Sequence, residues 1–319
     1  MTHRKKVAIS IGDLNGIGVQ LALQNHNTIC RSVDPLYCID RTMLEKSAQK
    51  LKLSIPSSFN TIKKVAPAFD IFPGRVSKES GAYAYASFRK AVEFAKDKEV
   101  DAICTLPIHK KAWEEAGVSY KGHTDALRDF FNADAIMMLG SKKMYVALFT
   151  EHIPLGDVAA SINETDLTRF LVDFYHTAKP TSIVGVLGLN PHAGDDGVLG
   201  DEERIIEKSI INATQILYNK HPDLRTLQST LFSEPLVPDV AFTPRMRKNF
   251  NYYVAMYHDQ GLAPLKALYF DEGINVSLNL PILRTSVDHG TAFDIAYKGA
   301  KLNNLSYLNA IGYIAKSEF

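Results

Sequence analysis

Three apolar runs in this sequence each lead into a histidine, and this repeated pattern is the strongest constraint on the fold. The runs and their histidines are Met144–Thr150 with His152, Ser182–Leu189 with His192, and Tyr252–Tyr257 with His258. Short apolar runs that end at polar or turn residues are typical of buried strands. The carboxyl ends of parallel strands lie together at one edge of a sheet, where ligands bind. The three imidazoles are therefore expected at one edge.

Three imidazoles at such an edge can bind one divalent cation and leave a coordination position open for substrate or water. For any single histidine, a role limited to ending its strand is the plainer interpretation. The shared context of all three favours the metal site. Asp259, next to His258, is expected to orient that imidazole without binding the metal itself.

Composition limits the class of protein. The 319 residues suffice for two ordinary domains or one large one, and 46% hydrophobic with 22% charged residues is typical of a globular chain. A net charge of +1 gives no support for a nucleic-acid or anionic-membrane partner. Cys30, Cys38 and Cys104 lack metal-site spacing, and no signal-peptide pattern or apolar run of transmembrane length is present. We therefore expect a cytoplasmic protein.

Strand-like and helix-like segments alternate along the chain, which predicts an α/β fold with largely parallel sheets. The remaining predicted strands are Val7–Ile11, Pro35–Ile39, Val100–Leu106, Asp239–Thr243 and Asn275–Leu280. The predicted helices begin near Val19, Thr42, Ser80, Asp125, Asn163, Asp201 and Thr291. A change of domain is expected between about residues 125 and 145.

Polar residues outside the histidine set point to an anionic substrate. Lys266 and Arg284 fit a phosphate or carboxylate, although either one alone is more simply a solvated surface charge. Thr124 lies in the turn before the helix near Asp125, where it can cap that helix. Together with His123 it can also bind an anion or a substrate hydroxyl, and the two roles are compatible. These residues leave open a metal-assisted dehydrogenase, decarboxylase, aldolase or hydrolase.

Five motifs occur in one order along nearly the whole chain: Gly122–Asp125, His152–Leu155, Asn190–Gly194, Tyr257–Gly261 and Thr285–Ala292. Together they resemble the 4-hydroxythreonine-4-phosphate dehydrogenase family of vitamin B6 biosynthesis, PdxA. Each motif alone is weak, and the combination is specific. The resemblance implies two α/β/α domains with largely parallel sheets, related to the isocitrate and isopropylmalate dehydrogenases. It also implies a homodimer whose active site lies between domains and at the dimer interface.

The resemblance assigns roles to particular residues and places the domains. It implies a first domain at 1–135 plus about 290–319, and a second at about 136–289 that carries the metal ligands and cofactor loops. The implied metal ligands are His152, His192 and His258, for Zn, Co, Mg or Mn. The implied substrate contacts are His123, Thr124, Lys266, Asn275 and Arg284, with Lys266 and Asp259 in catalysis. NAD or NADP is expected near Asn279, Asp288, His289, Gly290 and Thr291.

The implied reaction is NAD-dependent and divalent-metal-dependent oxidation of 4-phosphooxy-L-threonine to a β-keto acid. That acid then loses carbon dioxide to give 3-amino-2-oxopropyl phosphate, a step in pyridoxal phosphate biosynthesis. One alternative is a dehydrogenase of threonate or erythronate 4-phosphate. Another, of a different class, is a metal-dependent lyase or hydrolase that uses no nicotinamide.

The sequence departs from the family pattern at two turns. Asp13-Leu14-Asn15 stands where the family usually has Glu-Pro-Ala, and His109 stands where Asn or Ser is common. The loop from Gly12 to Gly18 matches neither the dinucleotide fingerprint nor the Walker loop, which leaves a tight turn and a ligand loop equally open. Neither turn belongs to the metal or phosphate set. The reaction type is therefore expected to hold, while the substrate is less constrained.

Overall fold

The computed structural model of the chain describes residues 4–226 and 230–317, and these residues form the following strands and helices. The strands are β1 (Lys5–Ser10), β2 (Val33–Cys38), β3 (Ala102–Thr105), β4 (Ile136–Ser141), β5 (Met144–Leu148), β6 (Val184–Val186), β7 (Tyr252–Ala255), β8 (Ile274–Leu278) and β9 (Leu283–Val287). The first six helices are α1 (Gly18–Ile29), α2 (Arg41–Leu51), α3 (Lys78–Lys96), α4 (Lys110–Glu115), α5 (His123–Phe131) and α6 (Val158–Ser161). The others are α7 (Glu164–Ala178), α8 (Glu202–Lys220), α9 (Pro222–Thr226), α10 (Pro238–Ala241), α11 (His258–Tyr269) and α12 (Leu305–Lys316). The predicted α/β class is confirmed.

The chain forms two compact units. The first comprises Met1–Ala133 and Asp271–Phe319, and the second comprises Asp134–Phe270. From the sequence, we expected the chain to re-enter the first unit near residue 290. In the structure the return comes earlier because β9 pairs in parallel with β3, and β8 pairs with β9. Asn279, Asp288 and His289, which were predicted to bind the cofactor and expected in the second unit, therefore lie in the first.

The first unit contains the strand order β2-β1-β3-β9-β8. Neighbouring strands from β2 to β9 run parallel, and β8 runs antiparallel to β9. Strand β1, which lies between β2 and β3, is buried at Val7, Ala8 and Ile9, because both faces of a largely parallel sheet are covered. Helix α3 begins where the Ser77 side chain accepts a hydrogen bond from the Ser80 N–H. It buries Phe88, whose ring centroid lies 5.9 Å from that of Trp113 on α4.

The second unit contains the strand order β4-β5-β7-β6. Strands β5, β7 and β6 run parallel to one another, and β4 is antiparallel to β5. Helix α11 lies so close to β5 that a Cβ on Gly261 would come within 2.4 Å of Val146 Cγ1. Helix α7 begins after Asn163, as predicted, and the Asn163 side chain accepts a hydrogen bond from the Asp166 N–H.

Several local predictions are wrong. The segment 239–243 is not a strand, because Pro238 starts the short helix α10 there. The segment 291–298 forms turns rather than a helix, with Ala292 and Tyr297 at positive φ. Thr124 does not cap α5, since that helix begins at His123 and its N-cap residue is Gly122.

None of the helices within 4–226 and 230–317 is both long enough and apolar enough to span a membrane.

Candidate functional site

The three histidine-bearing segments follow three adjacent parallel strands, as the sequence predicted. Strand β7 lies between β5 and β6, and its carboxyl end leads into His258 at the start of α11. The chain continues from β5 to His152 and from β6 to His192. The ring centroids of His152 and His258 lie 5.4 Å apart, with the ring planes inclined by 43°.

The pair of rings fits two positions of a metal site. Zinc–nitrogen distances are about 2.0–2.1 Å, so two imidazoles on one ion must be close neighbours. The Asp259 carboxylate lies 2.7 Å from Nδ1 of His258, which leaves Nε2 of His258 as the nitrogen for an ion. No group of three His, Cys, Asp or Glu side chains in the described ranges is arranged to hold a metal. The three-histidine metal site thus stays a prediction.

His192 lies in a loop with an unusual backbone. The segment Pro191–Gly197 has positive φ at six consecutive residues, from His192 at 55° to Gly197 at 96°. Only Gly194 and Gly197 among these six lack a Cβ, and the left-handed region is disfavoured for other residues. Strain of this kind persists only where surrounding contacts fix it, and it concentrates at functional sites.

Arg284 makes several side-chain hydrogen bonds within the first unit. It lies on β9 and is only 2% exposed. Its Nε and Nη2 both donate to Thr105 Oγ1, at 3.2 and 2.6 Å. Its Nη1 donates to Ser277 Oγ at 3.2 Å and to Asn275 Oδ1 at 3.4 Å. The predicted pair of Arg284 and Asn275 is therefore brought together, and Thr105 and Ser277 join them.

The charge of Arg284 has no carboxylate partner in the part of the chain that the structure describes. Burial away from water lowers the pKa of its guanidinium to about 10. A buried charge without an opposite charge is unfavourable unless a ligand supplies one. The guanidinium has five N–H groups. The protein bonds above use four of them, so Arg284 retains a positive charge and one further N–H group.

His123 lies at the start of α5 in the same unit, between aromatic rings. The ring centroids of Phe88 and Trp113 lie 4.7 and 5.3 Å from that of His123. Burial, followed by the positive charge of Arg284, holds the pKa of His123 well below its usual range, so the imidazole is neutral. Its Nε2 is buried without a hydrogen-bond partner among the described atoms. The neighbouring Thr124 is also buried.

Lys266 lies in the second unit, on α11, and is partly buried. This helix also carries His258 and Asp259, so one rigid element positions three of the predicted site residues. Lys266 and Arg284, which the sequence grouped as a phosphate pair, thus belong to different units.

The predicted cofactor residues follow β8 and β9 in the first unit. Asn279 has a φ of 56°. The Asp288 N–H donates to Ser306 Oγ at 3.0 Å, and Nδ1 of His289 lies 3.1 Å from the Gly290 carbonyl oxygen. Nε2 of His289 is buried without a partner in the described structure, and a Cβ on Gly290 would meet nothing within 4 Å. This segment therefore has room and unused polar capacity, and its role with the nucleotide stays a prediction.

The Gly12–Gly18 loop is packed as a tight turn. A Cβ on Gly12 would come within 2.3 Å of the Pro107 carbonyl oxygen, and one on Gly16 within 2.8 Å of the Thr291 carbonyl oxygen. The Ile17 N–H donates to that Thr291 carbonyl at 3.1 Å. The loop thus packs against the turn after β3 and against the segment after β9.

Four polar residues that bond to Arg284 or to the segment leading to His192 were not singled out from the sequence: Thr105, Ser277, Glu203 and Gln260. Thr105 and Ser277 are buried hydroxyls within strands, where a serine or threonine gives no distinct signal. Gln260 belongs to the recognised His-Asp-Gln-Gly motif, and that position was the available signal. Glu203 follows the predicted helix start near Asp201, where an acidic residue suits the helix dipole and gives no further signal.

Similarity to known proteins identifies the family. The family described as pyridoxal phosphate biosynthetic protein PdxA matches residues 31–314. The chain is 55% identical over 306 residues to a 4-hydroxythreonine-4-phosphate dehydrogenase of Sulfurimonas denitrificans, covering 96% of this chain and 95% of the relative. It is 50% identical over 311 residues to one of Campylobacter fetus, covering 98% and 97%. The crystal structure of a 4-hydroxythreonine-4-phosphate dehydrogenase from Burkholderia phymatum matches with a TM-score of 0.78 at 31% identity, covering 98% of both chains. With the predicted α/β architecture and the ordered motifs, these similarities show that the chain belongs to the PdxA family.

Proposed function

We propose that this chain is a 4-hydroxythreonine-4-phosphate dehydrogenase that uses NAD and one divalent cation. The names of its relatives and the family match support a dehydrogenase of this kind. A phosphorylated substrate is supported by the buried guanidinium of Arg284, whose described partners are all neutral. A substrate phosphate supplies the missing negative charge, and charge-assisted bonds from arginine to phosphate are strong.

The residues of the first unit are proposed to bind and orient the phosphorylated substrate. Thr105 and Ser277 hold the guanidinium plane in place, so little side-chain freedom is lost when an anion binds. His123 is neutral and keeps one unpartnered nitrogen, which can hydrogen bond to substrate without adding charge. Asn275 and Thr124 complete the polar lining in this proposal.

The residues of the second unit are proposed to serve the reacting carbon. His152 and His258 would hold the cation, with His192 as the third ligand, and Asp259 fixes the orientation of His258. When bound, the cation polarises the reacting oxygen and NAD accepts the hydride. Lys266 is proposed to take the hydroxyl proton as the carbon–hydrogen bond breaks and the ketone forms.

The resulting β-keto acid then loses carbon dioxide. The electron pair of the broken carbon–carbon bond stays on the α carbon, which takes up a proton to give 3-amino-2-oxopropyl phosphate. Binding of NAD or NADP at Asn279 and Asp288–Thr291, a homodimer with its active site at the interface, and a cytoplasmic location belong to the same proposal.

A turnover assay on the purified protein tests this function. The protein is incubated with a divalent metal, NAD and 4-hydroxythreonine 4-phosphate, and reduced nicotinamide and carbon dioxide are measured. Threonate 4-phosphate, erythronate 4-phosphate and unphosphorylated 4-hydroxythreonine serve as comparison substrates. We expect the highest kcat/KM with 4-hydroxythreonine 4-phosphate. A higher kcat/KM with threonate or erythronate 4-phosphate would show that this sugar-acid phosphate is the preferred substrate. Product formation without nicotinamide reduction would contradict a dehydrogenase.

A further inference from the structure

Gln260 joins two of the histidine-bearing segments through its side-chain amide. It is buried in the first turn of α11, with 8% exposure. Its Oε1 accepts from the Met256 N–H at 2.7 Å, and its Nε2 donates to the Gly188 carbonyl at 2.6 Å. Met256 lies just after β7 and before His258, while Gly188 lies just after β6. One side chain therefore bonds to both strand ends.

The third histidine-bearing segment bonds to the same peptide region. The Thr150 hydroxyl donates to the Met256 carbonyl at 2.6 Å, and the Thr150 N–H donates to the same oxygen at 3.1 Å. Thr150 follows β5 and precedes His152 by two residues. The backbone of Met256 is thus bonded on one side to the His152 segment and on the other to Gln260.

Glu203 fixes the far side of the His192 loop. Its buried Oε1 accepts from the backbone N–H groups of Leu189 and Asn190, at 2.8 and 2.7 Å. Its Oε2 accepts from Asn190 Nδ2 at 2.9 Å. A Cβ on Gly194 would lie 2.6 Å from Oε2, so the left-handed loop is folded directly onto this carboxylate. The segment from Gly188 to His192 is therefore held by Gln260 at its start and by Glu203 in its middle.

We infer that Gln260 is a positioning residue that sets the placement of His192 relative to His258. The inference rests on the proposed metal function of those histidines. An amide inside the protein that is bonded at both ends has one favourable orientation, and leaving its partners unbonded is unfavourable. Side chains that orient metal ligands without touching the ion typically change metal affinity by roughly 10–100-fold when replaced.

Gln260→Met tests the inference, because methionine has a similar length and no amide. We expect the folded variant to bind Zn²⁺ roughly 10–100-fold more weakly in a chelator competition. We also expect altered visible absorption of bound Co²⁺, which reports ligand geometry and which a general loss of stability does not produce. Gln215→Met, on the exposed face of α8, is the matched control and should leave both readouts unchanged.

Gln260→Glu and Glu203→Gln provide the second test if Gln260→Met does not fold. The glutamate keeps an acceptor for the Met256 N–H but loses the donor to Gly188, so it should still weaken Zn²⁺ binding. In metal-free protein, both variants should speed hydrogen exchange at the Leu189 and Asn190 amides. Wild-type Zn²⁺ affinity, Co²⁺ absorption and exchange rates in these variants would overturn the inference.

The inference and the proposed function fail in different ways. If wild-type protein binds neither Zn²⁺ nor Co²⁺, or if His258→Ala binds them normally, the proposed metal function is wrong and the inference falls with it. If His258→Ala loses the metal but Gln260→Met retains normal affinity and absorption, only the positioning role of Gln260 is wrong.

Discussion

The hydroxyl of Thr105 accepts hydrogen bonds from two nitrogens of Arg284, Nε at 3.2 Å and Nη2 at 2.6 Å. The Nε–Nη2 edge of a guanidinium can donate two parallel hydrogen bonds to two oxygens of a carboxylate or phosphate. In this chain a neutral hydroxyl occupies it. The arginine is therefore fixed in direction while its charge remains uncompensated by the described protein, which is the arrangement that the proposed phosphate site requires.

Thr105→Val should destabilise the protein by about 1–3 kcal/mol, because two buried N–H groups of Arg284 lose their acceptor. Urea unfolding monitored by circular dichroism measures the change. Thr105→Ser keeps the hydroxyl and should retain most of the stability. No destabilisation by Thr105→Val, or a larger one by Thr105→Ser, would show that the hydroxyl contributes little to stability at this position.

The sequence was most informative where a pattern is local. The apolar run before His258 predicts both the strand and its position at a ligand-binding edge, and the structure confirms that β5, β7 and β6 are neighbours. Asn163 signals its helix start because its side chain bonds only three residues ahead.

Features that depend on distant contacts were not predictable in this way. Strand β9 was missed because Arg284, Thr285 and Ser286 look polar, yet all three are buried between β3 and β8. The acceptor role of Thr105 requires a partner 179 residues away in sequence. Gln260 was visible in its motif, but its bond to Gly188 crosses 72 residues.

Asp13 should make stability depend on pH. Burial raises the pKa of its carboxyl from 3.8 to about 6, although hydrogen bonds from the Asn15 N–H and the Ser80 hydroxyl oppose this. The folded chain thus binds the proton more tightly than the unfolded chain. The resulting stabilisation is fully present below the unfolded value and is lost as pH rises through about 6. A difference of about two pKa units corresponds to roughly 3 kcal/mol.

Asp13→Asn should remove this dependence, because the amide keeps the shape and does not ionise. Relative to wild type, its free energy of unfolding should be higher near pH 8 and similar near pH 4, as measured by urea unfolding across that range. Asp70→Asn, at an exposed carboxylate, is the control and should follow wild type. A constant offset between Asp13→Asn and wild type at every pH would contradict the raised pKa.

His192→Ala should remove the divalent metal and turnover together, because two remaining imidazoles hold a cation more weakly than three. Metal analysis after dialysis and steady-state kinetics give the two readouts. His221→Ala, outside the three segments, serves as the matched control and should retain metal. Full activity of His192→Ala in the presence of a chelator would remove His192 from the metal site.

Arg284 provides the most direct test of the central claim, that its buried charge receives the substrate phosphate. The measurement is calorimetric binding of 4-hydroxythreonine 4-phosphate and of unphosphorylated 4-hydroxythreonine to wild type and Arg284→Ala, with metal content measured on both proteins. We predict that Arg284→Ala weakens binding of the phosphorylated ligand by roughly 2–5 kcal/mol, barely changes binding of the unphosphorylated one, and retains its metal. Unchanged binding of the phosphorylated ligand, or equal weakening of both ligands, would show that the phosphate binds elsewhere.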